Sequence, residues 1–143
     1  MTSKKLVSLA REHLDRFWPE VKPFLEKGLL STEGEITIDQ LRLLIVQGHI
    51  HVVLFQTEDY ETVGALAFEI QAYPNFRVAN IVSFGGEQLL VDEAEMVQFS
   101  AGLRKMGVTK IQGWCSPAVS RLWRKQFKAT TPYTMIRIEL EGE

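Results

Sequence analysis

Between Arg77 and Phe127 the chain reads RVANIVSF (Arg77–Phe84), then Gly85-Gly86, DEAEMVQFSAGLRKM (Asp92–Met106), KIQGWC (Lys110–Cys115) and PAVSRLWRKQF (Pro117–Phe127). The first segment is an apolar run of strand character that closes on a glycine turn. Asp92–Met106 has the texture of a helix ended by Gly107. Lys110–Cys115 reads as a second strand and Pro117–Phe127 as a second helix. Strand, crossover helix and strand make a βαβ unit, so the two strands are expected to be parallel neighbours in one sheet. Ligands of such sheets bind beyond the carboxyl ends of the strands. Phe84–Asp92 and Cys115–Pro117 are therefore where a small molecule is expected first.

Upstream, Leu6, Leu9, Leu14, Phe17 and Trp18 fall near helical spacing, which predicts a helix over Leu6–Trp18. Pro19 suits the first turn of a new helical segment, or a kink. That segment is expected to continue through Val21, Phe24 and Leu25 and to stop at Gly28, with a loop over Leu29–Ile36. Thr37-Ile38-Asp39-Gln40 has the form of a capping box. The helix it starts would bury Leu41, Leu44 and Ile45 and stop at Gly48. His49–Gln56 and Val63–Ala72 read as strands joined by the polar turn Thr57–Thr62, and Tyr73–Phe76 turns into the Arg77 strand. Short connections make these three strands an antiparallel meander. Tyr133–Leu140 (YTMIRIEL) is dominated by period two and reads as a closing strand. The order α-α-β-β-β-α-β-α-β predicts an α+β domain with a mixed sheet, and 143 residues make one domain, 1–143, the expectation.

Composition narrows the function classes. A net charge of −2 gives no global case for nucleic-acid or membrane binding. No apolar run approaches the roughly 18 residues of a membrane span, and the charged N-terminal stretch is not a signal peptide. A single cysteine, Cys115, rules out an internal disulfide framework and points to a reducing compartment. The expected location is a cytosol, or a particle assembled in one.

The element order, with a glycine turn before the central helix, resembles the GNAT (acetyl-CoA-dependent N-acetyltransferase) superfamily over about Trp18 to Leu140. Many members carry Asn-x-x-Ala-x-x-Leu-Tyr-x-Lys after the strand that follows the central helix. Here the segment runs from Ser116 to Lys125: Leu122 and Lys125 match, while Ser116, Val119 and Trp123 replace the asparagine, the alanine and the tyrosine. The opening, with Trp18, Val21, Leu25, Thr37 and Gly48 before the first strand, resembles small GNAT-like proteins of tailed bacteriophages, some of them internal virion or assembly proteins. The resemblance implies a GNAT-like fold with a mixed sheet and helices on both faces. It implies acetyl-CoA as cofactor, held by Phe84, Gly85, Gly86, Glu87, Gln88, Leu89, Leu90 and Ser116. It also implies a carboxylate or water as base, with Glu69 the candidate carboxylate, and often a tyrosine general acid, for which Tyr133 is the candidate substitute where Trp123 stands.

The residues themselves pull against that chemistry. A helix N-terminus attracts phosphate through free N–H groups and its dipole, yet Gly85–Glu95 holds Glu87, Asp92, Glu93 and Glu95 and no Arg or Lys. Asp92 suits an N-cap, and Glu93 and Glu95 suit the dipole, so this is also the pattern of a capped structural helix. Indole N–H is no general acid, and Trp123 with Leu122 also reads as an apolar anchor of the last helix. Glu69 alternates with Phe68 and Ile70, the pattern of an outward, solvated side chain. His49 and His51 share one strand face without a third ligand by spacing. Cys115 reads as a buried structural thiol. Arg121, Arg124, Lys125 and Lys128, with Arg104, Lys105 and Lys110, give the last helix a basic flank.

Three function readings follow. In the first, a phage-type GNAT-fold protein with a degenerate motif binds no cofactor and acts through protein partners in a virion or its assembly, with self-association open, in host cytoplasm or packaged. In the second, it is an active N-acetyltransferase on a small or protein amine. In the third, it contacts nucleic acid through its basic flank.

Overall fold

The computed structural model describes residues 4–86 and 91–142. Five strands form one sheet in the order β1-β2-β3-β4-β5: β1 Lys5–Leu9, β2 His51–Gln56, β3 Thr62–Ala72, β4 Arg77–Gly86 and β5 Lys110–Gly113. The first four strands pair antiparallel, and β5 runs parallel to β4. Helices α1 (Leu14–Leu29) and α2 (Ile38–Val46) cover one face, and α3 (Glu93–Lys105) and α4 (Pro117–Phe127) the other. The meander, the βαβ unit and the α+β class all stand as the sequence predicts.

Each face has its own core. On the first, Leu14, Trp18, Val21 and Leu25 of α1 and Leu41 and Ile45 of α2 close over Val52, Leu54, Ala65 and Ala67. The α1 positions follow a spacing of three and four, so one stripe of the helix is apolar and the rest faces out. On the second face, Leu66, Phe68 and Ala79 meet Phe99 and Leu103 of α3, with Trp123 and Phe127 of α4 packed at the margin. Capping boxes start both central helices. Thr37 Oγ1 accepts from Gln40 N while Gln40 Oε1 accepts from Thr37 N, and Asp92 and Glu95 repeat the exchange at α3. Each cap contributes about 1 kcal/mol.

Helix α1 and strand β4 are in close backbone contact. A Cβ on Gly85 would fall on the Phe24 carbonyl, and one on Gly28 would strike Ser83 Oγ. Ser83, buried on β4, donates to the Leu25 carbonyl at 2.6 Å. The helix thus rests on the strand backbone with no side chain between them at these points. Gly28 therefore does not end α1, which runs through it to Leu29. Pro19 and Pro23 both stay inside that single helix, on its exposed side, where carbonyls left without an N–H can turn to water. Gly85 and Gly86 likewise belong to β4 rather than to a turn.

Two other expectations are corrected. Lys5–Leu9 is a strand, not the start of a helix, and a 3₁₀ turn at Arg11–His13 separates it from α1. Its apolar side chains alternate between faces, Val7 and Leu9 toward one core and Leu6 toward the other. Pairing with β2, from Lys5↔Gln56 to Leu9↔Val52, overrides the local helical spacing. Gln98 of α3 completes this edge: Leu6 N donates to its Oε1, and its Nε2 donates to the Lys4 carbonyl. At the other end, Tyr133–Leu140 forms no strand. The adjacent Met135 and Ile136 break its alternation, β5 offers only four residues to pair with, and Arg137 is drawn to the loop after α1.

Substituting Gly85 by Ala is expected to destabilise the protein by about 3 kcal/mol, because neither backbone can yield. Gly102→Ala on α3, where a Cβ meets nothing within 4 Å among the described residues, is expected to stabilise it by about 0.5–1 kcal/mol. Urea unfolding of the two variants checks both signs.

Candidate functional site

The site begins with an irregularity in β4. Ala67 lies opposite Ser83, but the next residue, Phe68, lies opposite Ile81, so Val82 is an extra residue in the strand. A bulge of this kind bends its strand and ends regular pairing. The parallel ladder to β5 stops at the same place, with Ile81↔Gly113 as its last pair. Beyond it the carboxyl ends of β4 and β5 separate. Val82, Ser83, Phe84 and Gly85 line one wall of the cavity that opens there, and Trp114, Cys115 and Ser116 the other. Val119, Trp123 and Arg124 of α4 and Met96, Ser100 and Arg104 of α3 extend it, to a volume of about 1320 Å³. This is the strand-end crevice expected of a βαβ unit.

The same cavity reaches a polar row on the α1–α2 face of the sheet. Glu69 of β3 is in register with Asn80 of β4, and Asn80 with Gln112 of β5. Asn80 Nδ2 and Gln71 Nε2 each donate to Glu69 Oε1 at 3.1 Å. Gln71 Oε1 in turn accepts from Tyr73 Oη and from Gln112 Nε2. Glu69 is half-buried and Asn80 buried, so Glu69 is not the solvated side chain that its alternation suggests. Two amide donors fix one of its oxygens and leave Oε2 for another donor. The bulge and the ladder are what aim it, and neither is visible in a residue pattern.

The rim on this side is built from two irregular segments. Leu30–Glu33, Glu35 and Ile36 of the α1–α2 loop line the cavity, and so do Ala129, Met135 and Arg137 of the segment after α4. Arg137 joins them, with Nη1 3.3 Å from Glu33 Oε2 and Nη2 3.0 Å from Glu35 Oε2. The Glu35 carboxyl is held below its ordinary range, first by its own backbone N–H and then by the Arg137 guanidinium and the Glu33 backbone N–H. Arg137 is raised correspondingly by Glu35.

The start of α3 supplies no cation. Asp92 and Glu95 spend their carboxylates on the capping box. Glu95 is buried, and its Oε2 has no hydrogen-bond partner among the described residues. Positive charge at the cavity comes instead from Arg124 of α4, Arg104 of α3 and Lys110 of β5, and from Lys27 and Arg137 on the α1–α2 side. Gln126 Nε2 donates to the Val91 carbonyl at 2.6 Å and ties α4 to the approach to α3.

The expected cofactor residues divide. Phe84, Gly85 and Ser116 line the cavity, and Gly86 ends β4 beside them, paired with Gly64. Glu87, Gln88, Leu89 and Leu90 lie outside the described residues. Ser116 caps α4 through its Oγ, which accepts from Val119 N at 3.3 Å. Gly85 is explained first by α1. Tyr133 is 91% exposed and is not among the residues that line the cavity with Glu69. Trp123 packs at the edge of the α3 core as an anchor, its ring tilted against that of Phe127, whereas Leu122 is exposed. Cys115 is exposed rather than buried, because β5 ends two residues before it. His49 precedes β2, so it does not share a strand face with His51, whose ring lies 5.3 Å from that of Phe68. Sequence reasoning missed Asn80, Gln71, Gln112 and Arg137. The pairing register that gathers the first three around Glu69 is a tertiary fact.

No family model matches the chain, and no curated protein matches it in sequence. Solved structures do match over nearly its whole length. A ribosomal-protein-alanine N-acetyltransferase from Brucella melitensis biovar Abortus 2308 gives a TM-score of 0.68 at 11% identity, covering 97% of this chain and 100% of that one. An aminoglycoside acetyltransferase from an uncultured soil metagenomic sample, in complex with sisomicin, gives 0.66 at 15% identity over 96% and 97% of the two chains. Glucosamine-6-phosphate N-acetyltransferase from Arabidopsis thaliana gives 0.58 at 14% identity over 96% and 99%. The fold is that of the GNAT acetyltransferases. Among the described residues no helix is long and apolar enough to cross a membrane.

A folded-state carboxyl held low contributes stability above its unfolded value and loses it as pH falls through the lower folded value. The Arg137 contact is therefore expected to persist below the ordinary glutamate range. In a carboxyl NMR titration Glu35 should show a depressed midpoint. Arg137→Ala should move it only part of the way back, since the backbone N–H groups remain.

Proposed function

We propose that the protein is an acetyl-CoA-dependent N-acetyltransferase with an amine acceptor. The observation that carries this reading is the split between β4 and β5 at the Val82 bulge, with an amide-held glutamate beside it in the same cavity. The fold shared with acetyltransferases supports it.

The cavity suits the cofactor in size and in its lining. Beyond Ile81 the β4 edge that faced β5 is free of the ladder and offers backbone N–H and C=O groups to an extended arm. Arg124 and Arg104 place positive charge where the Gly85–Glu95 segment has none. When bound, acetyl-CoA would supply an acetyl group activated as a thioester. Glu69 takes a proton from the acceptor ammonium through Oε2, directly or across one water, which leaves the amine with a free lone pair. Asn80 and Gln71 hold its other oxygen and so fix its orientation. Neutral amide donors stabilise the carboxylate without adding a competing cation.

A second reading has its own observation. Tyr133, Met135, Ile136, Ile138 and Leu140 are exposed by 59% or more, an unusual density of apolar surface in one segment. It favours a protein-contact role, such as the virion or assembly component that the phage resemblance implies, in which the cleft is a relic.

Calorimetry with acetyl-CoA decides between the two readings. Micromolar binding is expected, and a ligand at 100 times its Kd should raise stability by about 2.7 kcal/mol. Absence of binding would favour the protein-contact role. With an acceptor in hand, Glu69→Gln should lower kcat by about a hundredfold or more and leave the KM for acetyl-CoA nearly unchanged.

A further inference from the structure

We infer that the segment after α4 is a strap across the acceptor side of the cleft, latched by Arg137 and opened by competing cations; this rests on the reading of the Glu69 side as the acceptor half. Lys128, in the left-handed conformation at φ 56°, ends α4 and redirects the chain. Ala129, Met135 and Arg137 then line the same cavity as Glu69 and Gln112. The far anchor is the α1–α2 loop, where Glu33 and Glu35 receive the two halves of the guanidinium. The segment is thus fixed at both ends of the opening, by α4 on one side and by two ion pairs on the other.

The latch is weak by construction. Its side chains are 41–79% exposed, and exposed ion pairs are individually small terms that salt screens. The apolar side chains that could have anchored the strap point elsewhere: Tyr133, Ile136, Ile138 and Leu140 are 79–91% exposed. No strand pairing holds it either, since Tyr133–Leu140 is outside the sheet. A strap whose side-chain latch, among the described residues, is a guanidinium on two carboxylates yields to any cation that competes for them, and the ammonium of an arriving amine is one.

The test measures access, not turnover. In a Cys115→Ser background, Glu69→Cys places a single thiol in the cavity, and its reaction rate with the neutral reagent methyl methanethiosulfonate is followed. Arg137→Gln and the double change Glu33→Gln/Glu35→Gln are then added separately. They remove opposite charges but open the same latch. Both are expected to speed labelling roughly three- to tenfold, the range that two exposed ion pairs allow, as is raising NaCl to about 0.5 M. Unchanged rates, or rates that move in opposite directions in the two variants, overturn the strap. If Glu69→Cys does not fold, spin labels at Thr32→Cys and Ile138→Cys in the same background give the readout. A short, narrow distance that broadens in both latch variants supports the strap, and one that does not change refutes it. Gated labelling without acetyl transfer to any amine would sink the enzyme reading and leave the strap standing. Transfer with ungated labelling would do the reverse.

Discussion

Helix α1 touches the backbone of β4 directly. Two glycines remove the side chains that would separate them, and Ser83 replaces the lost packing with a buried hydrogen bond to the Leu25 carbonyl. The rest of the site depends on this seam. It holds the far half of β4 against α1 just after the Val82 bulge, while the near half remains in ladder with β5. One strand is therefore committed to two partners in succession, and the cavity is the space left where it changes from one to the other. A larger residue at Gly85 would meet the Phe24 carbonyl and push β4 off α1.

The seam also bears on how much the sequence discloses. The βαβ unit, the meander, the Thr37 capping box, the Asp92 N-cap and the mixed sheet are legible because each rests on local chemistry: period, caps and turn residues. The N-terminal strand was not legible. Leu6 and Leu9 fit a helix as well as a strand, and only the β2 edge decides between them. The final segment shows the converse, a strand-like pattern without an adequate template. The glycine pair was legible as special but not for the right reason. Its spacing suggests an anion cradle, while Gly85 is required first by a helix more than fifty residues upstream. The candidate site was half legible. Glu69 stands out as a strand carboxylate, but its partners Asn80 and Gln71 become meaningful only through strand register and the side-chain hydrogen bonds it permits.

Charge is distributed across the cleft in an order that suits its proposed chemistry. The rim on the α1–α2 side carries Glu33, Glu35 and, deeper, Glu69, with Arg137 among them. The α3–α4 side carries Arg104 and Arg124. The acids gather on the α1–α2 side, interleaved with Lys27 and Arg137, and among the described residues none lines the α3–α4 side. The −2 of the whole chain hides this separation, because totals cancel what the fold keeps apart.

The Gln98 side chain has a consequence for assembly. By bonding Leu6 N and the Lys4 carbonyl it occupies the start of the outer edge of β1, as an added strand would. Among the described residues no strand occupies the outer edge of β5. Two copies meeting at β5 would close on each other about a two-fold axis. At its start the β1 edge is shielded from such pairing by a single amide on a helix that otherwise serves the core.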